Sequence, residues 1–246
     1  MGNGRARSGD GRTLGLPALL LAAVAVVLGA AAVAAHSGES AGPVAVPDPG
    51  PGLAPPAPDD EGDHLVVLFG DSFSERAGPA IRERFRADPD LRLSVNAFGG
   101  TELDTPSWVR GYPNVPPGST VLILLGTNDV STDSPAEVEA DARAAIDAAS
   151  DAGAARVVMA TVNTTGRPPD QGPEWTDRAR AFNDWLRRAD ADPQRYPRLA
   201  VVDWDARSRD RPEWLAFDGI HHSPAGQEAY AAMAHAAARS AADLDP

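Results

Sequence analysis

Apolar-rich runs of five or six residues recur along the later three-quarters of the chain: Leu65 to Phe69, Leu93 to Ala97, Thr120 to Leu125, Arg156 to Thr161 and Leu199 to Asp203. Stretches with helical spacing separate most of them. Short runs of this kind fit strands buried on both faces, and their alternation with helices predicts a parallel sheet covered on each side. The expectation is therefore an α/β fold, a three-layer α/β/α sandwich around a five-stranded parallel sheet. Ser134-Pro135-Ala136-Glu137 has capping-box spacing with proline at the first helical position, so a helix is predicted from there to about Asp151, before Gly153. Around Arg178 to Ala189 the helical period places Phe182, Trp185 and Leu186 on one face, which assigns them to the core. Ser223-Pro224 opens a final helix ending near Ala242. Between Thr101 and Gly118 stand Pro106, Pro113, Pro116 and Pro117, so a long loop with at most a short helix is expected there. No repeat of 20 to 50 residues interrupts this single pattern.

The N-terminal region has a different pattern. Leu14 to Ala35 is a run of 22 residues without a charge, preceded by Arg5, Arg7 and Arg12. At about 1.5 Å per residue such a helix is roughly 33 Å long, enough to cross a bilayer core, with the arginines kept on the cytoplasmic side. Ala32-Val33-Ala34 offers a small-residue cleavage site, so an uncleaved anchor and a removed secretory signal are both open. Residues 36 to 63, rich in Pro, Gly, Ala and acids, read as a stiff solvated spacer. The resulting organisation is a cytoplasmic segment 1–13, a membrane-targeting segment 14–35, a linker 36–63 and a folded domain 64–246. The domain is expected outside the cytoplasm, tethered by one helix or secreted.

Composition removes several functions. The 246 residues contain no cysteine, which excludes disulfides, thiolate metal sites, a thiol nucleophile and lipid attachment through cysteine. All 22 basic residues are arginine, against 35 acids, and the folded part 64–246 alone carries a net charge of −9. A nucleic-acid partner is excluded on that balance. No cluster of His and carboxylates has metal-ligand spacing, and no cofactor or metal is expected.

In an open α/β sheet, ligands bind beyond the carboxyl ends of the strands. The segments at those positions are Gly70-Asp71-Ser72, Phe98-Gly99-Gly100-Thr101 and Gly126-Thr127-Asn128-Asp129, with Asp218-Gly219-Ile220-His221 after the last strand. Over residues 64 to 240 these blocks resemble the GDSL-type or SGNH hydrolase superfamily, whose fold is flavodoxin-like. Phe69-Gly70-Asp71-Ser72 resembles its first block, with Phe73 where many members have leucine, and Asp218 to His221, continued by Ser223-Pro224-Ala225-Gly226, resembles its last. The resemblance implies an ester or acyl substrate. It also implies that the Ser72 and Gly100 backbone N–H groups and the Asn128 amide form an oxyanion hole, with Gly99 as the alternative glycine.

The residue types fit that chemistry independently. A serine hydroxyl becomes a useful nucleophile when an imidazole accepts its proton, which pairs Ser72 with His221. Asp218, three residues earlier, can hold the other ring nitrogen. Asp71 and Asp129 read as loop-holding residues and His222 as a rim or surface residue. Trp108, Tyr112, Trp175, Trp204 and Trp214 either line the crevice or pack ordinarily. An α/β-hydrolase is excluded, because Ser72 lies in Gly70-Asp71-Ser72-Phe73-Ser74 after the first strand rather than in Gly-x-Ser-x-Gly after a later one. The expected activity is an extracytoplasmic serine esterase. The alternatives are a glycan O-acyltransferase with the same residues and a non-catalytic glycan-binding module. Substrate partners are small-molecule, lipid or carbohydrate acyl esters.

Overall fold

A computed structural model describes residues 62–243. The expected segments 1–13 and 14–35, and nearly all of the linker, lie outside the described residues. Among the described residues, no helix is long and apolar enough to cross a membrane. Five strands form, β1 (His64–Gly70), β2 (Leu91–Ala97), β3 (Thr120–Leu124), β4 (Arg156–Ala160) and β5 (Leu199–Val202). The helices are α1 (Ser72–Arg76), α2 (Gly78–Arg86), α3 (Pro106–Gly111), α4 (Asp129–Thr132), α5 (Pro135–Asp151), α6 (Pro173–Asp190), α7 (Trp204–Ser208) and α8 (Pro224–Ala241).

All four strand pairings are parallel, in the order β2-β1-β3-β4-β5. That order reverses between β1 and β3, which places the switch-point crevice beside the ends of those two strands. The strand alternation divides the core cleanly. Val67, Phe69, Val121, Ile123 and Met159 face one way, packing with Val138 and Ile146 of α5 and with Phe182 and Leu186 of α6. Val66, Leu68, Leu122, Leu124 and Val158 face the other, against Ile81 and Phe85 of α2 and Tyr230 and Met233 of α8. Each such side chain contributes about 1.5–3 kcal/mol by leaving water, so a strand flanked by helices on both faces must be apolar at nearly every position.

Helix ends follow their local chemistry. Ser134 caps α5 through a complete box: its hydroxyl accepts from Glu137 N–H at 3.4 Å, and its own N–H donates to the Glu137 carboxylate at 2.9 Å. α6 begins at Pro173, upstream of the apolar stripe that predicted it, because Gly172 and the proline set its first turn. The expected loop from Thr101 to Gly118 holds one short helix, followed by a 3-10 turn. Pro106 sits at the start of α3 and Pro113 inside the 3-10 turn Tyr112–Asn114, positions at which proline is tolerated. The tryptophans and tyrosine that stood open between crevice and core are settled by burial: Trp108, Tyr112, Trp175 and Trp204 are all core residues. Trp214 is partly buried and stacks on Trp204 with ring centroids 5.7 Å apart.

Candidate active site

β1 ends at Gly70, where a Cβ would stand 2.3 Å from both Cβ and Oγ of Ser74, so only glycine lets α1 start this close to the strand. Asp71, not Ser72, caps the helix: its carboxylate accepts from Phe73 N–H at 2.9 Å. Ser72 is thereby released from a capping role, and its hydroxyl lies 2.9 Å from Nε2 of His221, 149 positions later in the chain. His221 Nδ1 is 2.8 Å from Oδ2 of Asp218. The other oxygen of Asp218 accepts from the Ile220 and His221 N–H groups at 3.1 and 3.0 Å. Burial opposes ionisation of Asp218, but the hydrogen bonds from the His221 ring and from these two N–H groups outweigh it and hold the carboxyl below its ordinary value. An ionised Asp218 accepts from Nδ1–H, leaving Nε2 as the acceptor facing the serine.

The Asp218 and His221 turn is held from several directions. Ala216 N–H donates to His221 O at 2.7 Å, Gly219 N–H donates to Ala216 O at 3.0 Å, and Leu215 bridges His222. Gly219 is at φ 73°, in the region that favours glycine. Arg167 N–H donates to Gly219 O at 3.0 Å, which ties the turn to the loop after β4. That loop is fixed in turn by Asn163, whose carboxamide oxygen accepts from Thr165 and Gly166 N–H at 2.7 and 2.9 Å.

The second and third strands deliver the remaining pieces. Asn128 follows β3, and its Nδ2 donates one hydrogen to Thr101 O at 2.8 Å, which fixes the amide plane and leaves the second N–H direction. Of the two glycines after β2, Gly100 is at φ 76°, and Gly99 is the one beside the serine: a Cβ there would lie 3.7 Å from Ser72 Cβ and 3.0 Å from the Glu75 carboxylate. Gly100 favours glycine for its positive φ, while a side chain at Gly99 would stand in contact with Ser72 and press on the mobile end of Glu75. The structure thus brings Ser72, His221 and Asp218 into one hydrogen-bonded chain and Asn128 onto the carbonyl of the Gly99-Gly100 loop.

Two buried acids support the arrangement. Asp129 accepts from Leu103 N–H at 2.8 Å, pinning the loop after β2 to the loop after β3, while its other oxygen has no protein partner among the described residues. Burial pushes both Asp71 and Asp129 up to about 7. His222 corrects its expected rim position. It is buried between Phe73, Trp204 and Tyr230, at centroid distances of 4.7, 5.3 and 4.8 Å, and burial together with the nearby His221 pushes it down to about 4. Its aromatic neighbours come from three separate elements, so nothing adjacent in sequence announces them. Sequence reasoning also missed Arg76, whose guanidinium is 3.8 Å from Asp218 Oδ2. The available signal was its place one helical turn after Ser72.

A family model described as GDSL-like Lipase/Acylhydrolase matches residues 61–229. No curated protein matches by sequence. Among solved structures, a lipase/acylhydrolase from Enterococcus faecalis is 19% identical, with a TM-score of 0.57, covering 74% of this chain and 98% of its own. The psychrotrophic esterase EstA from Pseudoalteromonas sp., inhibited by monoethylphosphonate, is 16% identical with a TM-score of 0.54, covering 72% and 98%. A carbohydrate esterase family 3 protein from Talaromyces cellulolyticus is 15% identical with a TM-score of 0.54, covering 74% and 100%. At these identities the structural likeness establishes the shared fold.

Proposed function

The chain belongs to the GDSL-like lipase/acylhydrolase family and is an ester-hydrolysing enzyme, and from that premise we propose that it is an extracytoplasmic serine esterase working through Ser72, His221 and Asp218. Ser72 Oγ attacks the acyl carbon as its proton passes to His221 Nε2, and the imidazolium that forms is stabilised by the ionised Asp218. The carbonyl electron pair moves onto oxygen, where the Ser72 N–H, the N–H of the Gly99-Gly100 pair and the Asn128 amide donate to it. On collapse the alcohol leaves with the proton from Nε2. A water molecule, giving its proton to the same nitrogen, then repeats the sequence on the acyl-serine and releases the acid.

One observation carries this reading: the 2.9 Å approach of Ser72 Oγ to His221 Nε2, continued by the 2.8 Å contact of Nδ1 with Asp218. A fluorophosphonate probe followed by peptide mapping tests it. Label on Ser72 that is lost in His221→Ala is the expected result, and label elsewhere or none overturns it. Asn128→Ala should lower kcat by about 10²- to 10³-fold, the usual loss for one oxyanion donor, with KM little changed. A kcat within twofold of wild type would remove Asn128 from the hole. Running the ester assay with and without sugar acceptors separates hydrolysis from acyl transfer. The outward location rests on the 22-residue uncharged run behind Arg5, Arg7 and Arg12. Fractionation of cells expressing the full chain tests it, with activity expected in the envelope or medium.

A further inference from the structure

Phe217 occupies the first corner of the turn Ala216 to Gly219, immediately before Asp218, and its side chain is fully exposed. Among the described residues, Val109 is the other large apolar side chain left exposed, and it is only half so, on α3. The backbone of its turn is held: Gly219 N–H donates to Ala216 O at 3.0 Å, Ala216 N–H to His221 O at 2.7 Å, and Arg167 N–H to Gly219 O at 3.0 Å. Asp218, the charged member of the turn, is committed to the His221 ring and to two backbone N–H groups. The turn thus carries a fully exposed apolar side chain one peptide unit from Asp218, whose carboxylate meets the His221 ring.

We propose that Phe217 determines substrate specificity by packing on a hydrocarbon chain of the ester. This rests on the esterase reading above and deepens it, since it makes longer-chain esters preferred over acetate or ethyl esters. The alternative of an anionic bilayer as the occupant is disfavoured by the domain's net charge of −9 and by the isolation of a single ring. Half of the gain from burying a phenyl ring corresponds to about tenfold in kcat/KM.

The test compares wild type, Phe217→Ala and Phe217→Leu on two series of soluble esters, aryl acetate to aryl octanoate for the acyl side and ethyl to octyl acetate for the alcohol side. In Phe217→Ala the long-to-short ratio of kcat/KM should fall about tenfold in one series, mainly through KM, and Phe217→Leu should restore most of it. The series that responds identifies the chain that is held. An equal loss at every chain length, or an unchanged ratio in both series, overturns the proposal. So does loss of sedimentation with anionic lipid vesicles in Phe217→Ala with selectivity on soluble esters intact, which would make the ring a membrane contact. Failure of the wild type to hydrolyse any ester or take up the fluorophosphonate would instead sink the esterase reading itself.

Discussion

Ser72→Ala should reduce turnover of a short aryl ester by about 10⁵- to 10⁶-fold, and His221→Ala should do nearly the same. The two losses should not add. Each residue acts through the other across the 2.9 Å contact, so once the base has no proton to take, removing it changes little further. The double variant should therefore match either single one within an order of magnitude. A residual rate above background is expected in all three on the proposed mechanism, in which the donors at Asn128 and the glycine pair would still polarise a bound carbonyl. Steady-state rates on the same ester, with protein prepared so that no wild-type enzyme contaminates it, decide the matter. If Ser72→Ala hydrolyses as fast as wild type, the serine mechanism falls and the glycan-binding module returns.

The second large effect concerns stability. Asp71 and Asp129 are buried, and burial pushes both up to about 7, against an ordinary value of 3.8. Between those values the unfolded chain has released a proton that the folded chain still holds. Unfolding is thus favoured by rising pH, and each group removes about 1.4 kcal/mol of stability per pH unit, with an upper limit of about 4 kcal/mol by pH 7. The carboxyls of Asp88, Asp203 and Asp218 are held below their ordinary value and act in the opposite sense. Their stabilisation is complete once the unfolded acids have ionised, near pH 4 to 5, and is lost as pH falls below that. His222, pushed down to about 4, opposes the two buried acids between about pH 4 and 6.5, one group against two, so the folded domain should still be most stable in mild acid. Asp129→Asn keeps an acceptor for Leu103 N–H and removes the titration, so its urea-denaturation free energy should fall less steeply from pH 4.5 to 7.5. Parallel profiles for the two proteins would show that Asp129 is not the group responsible.

The sheet was legible in the sequence because a strand covered on both faces tolerates few polar residues. Val66 to Phe69 and Val121 to Leu124 read as strands for the same reason that they fill the two cores. The blocks around Ser72 and Asn128 were legible because each directly follows such a run, where the fold exposes its crevice, whereas the His221 block, separated from β5 by α7, was legible from its Asp-x-x-His spacing. What escaped reading depends on neighbours remote in the chain. The burial of His222 follows from Phe73, Trp204 and Tyr230, which come from three separate elements. The short helix in the proline-rich stretch after Thr101 starts at Pro106 because proline obstructs a helix interior but not its first turn.

His221 and Asp218, the proposed base and its orienting acid, lie on the last turn before α8, which packs on the face shared with α2, whereas Ser72, the proposed alcohol, lies on the first turn after β1. Synthesis proceeds from the alcohol toward the base. On the proposed mechanism, a nascent chain therefore presents an unassisted hydroxyl until the turn that bears His221 has been made and has docked against Ser72.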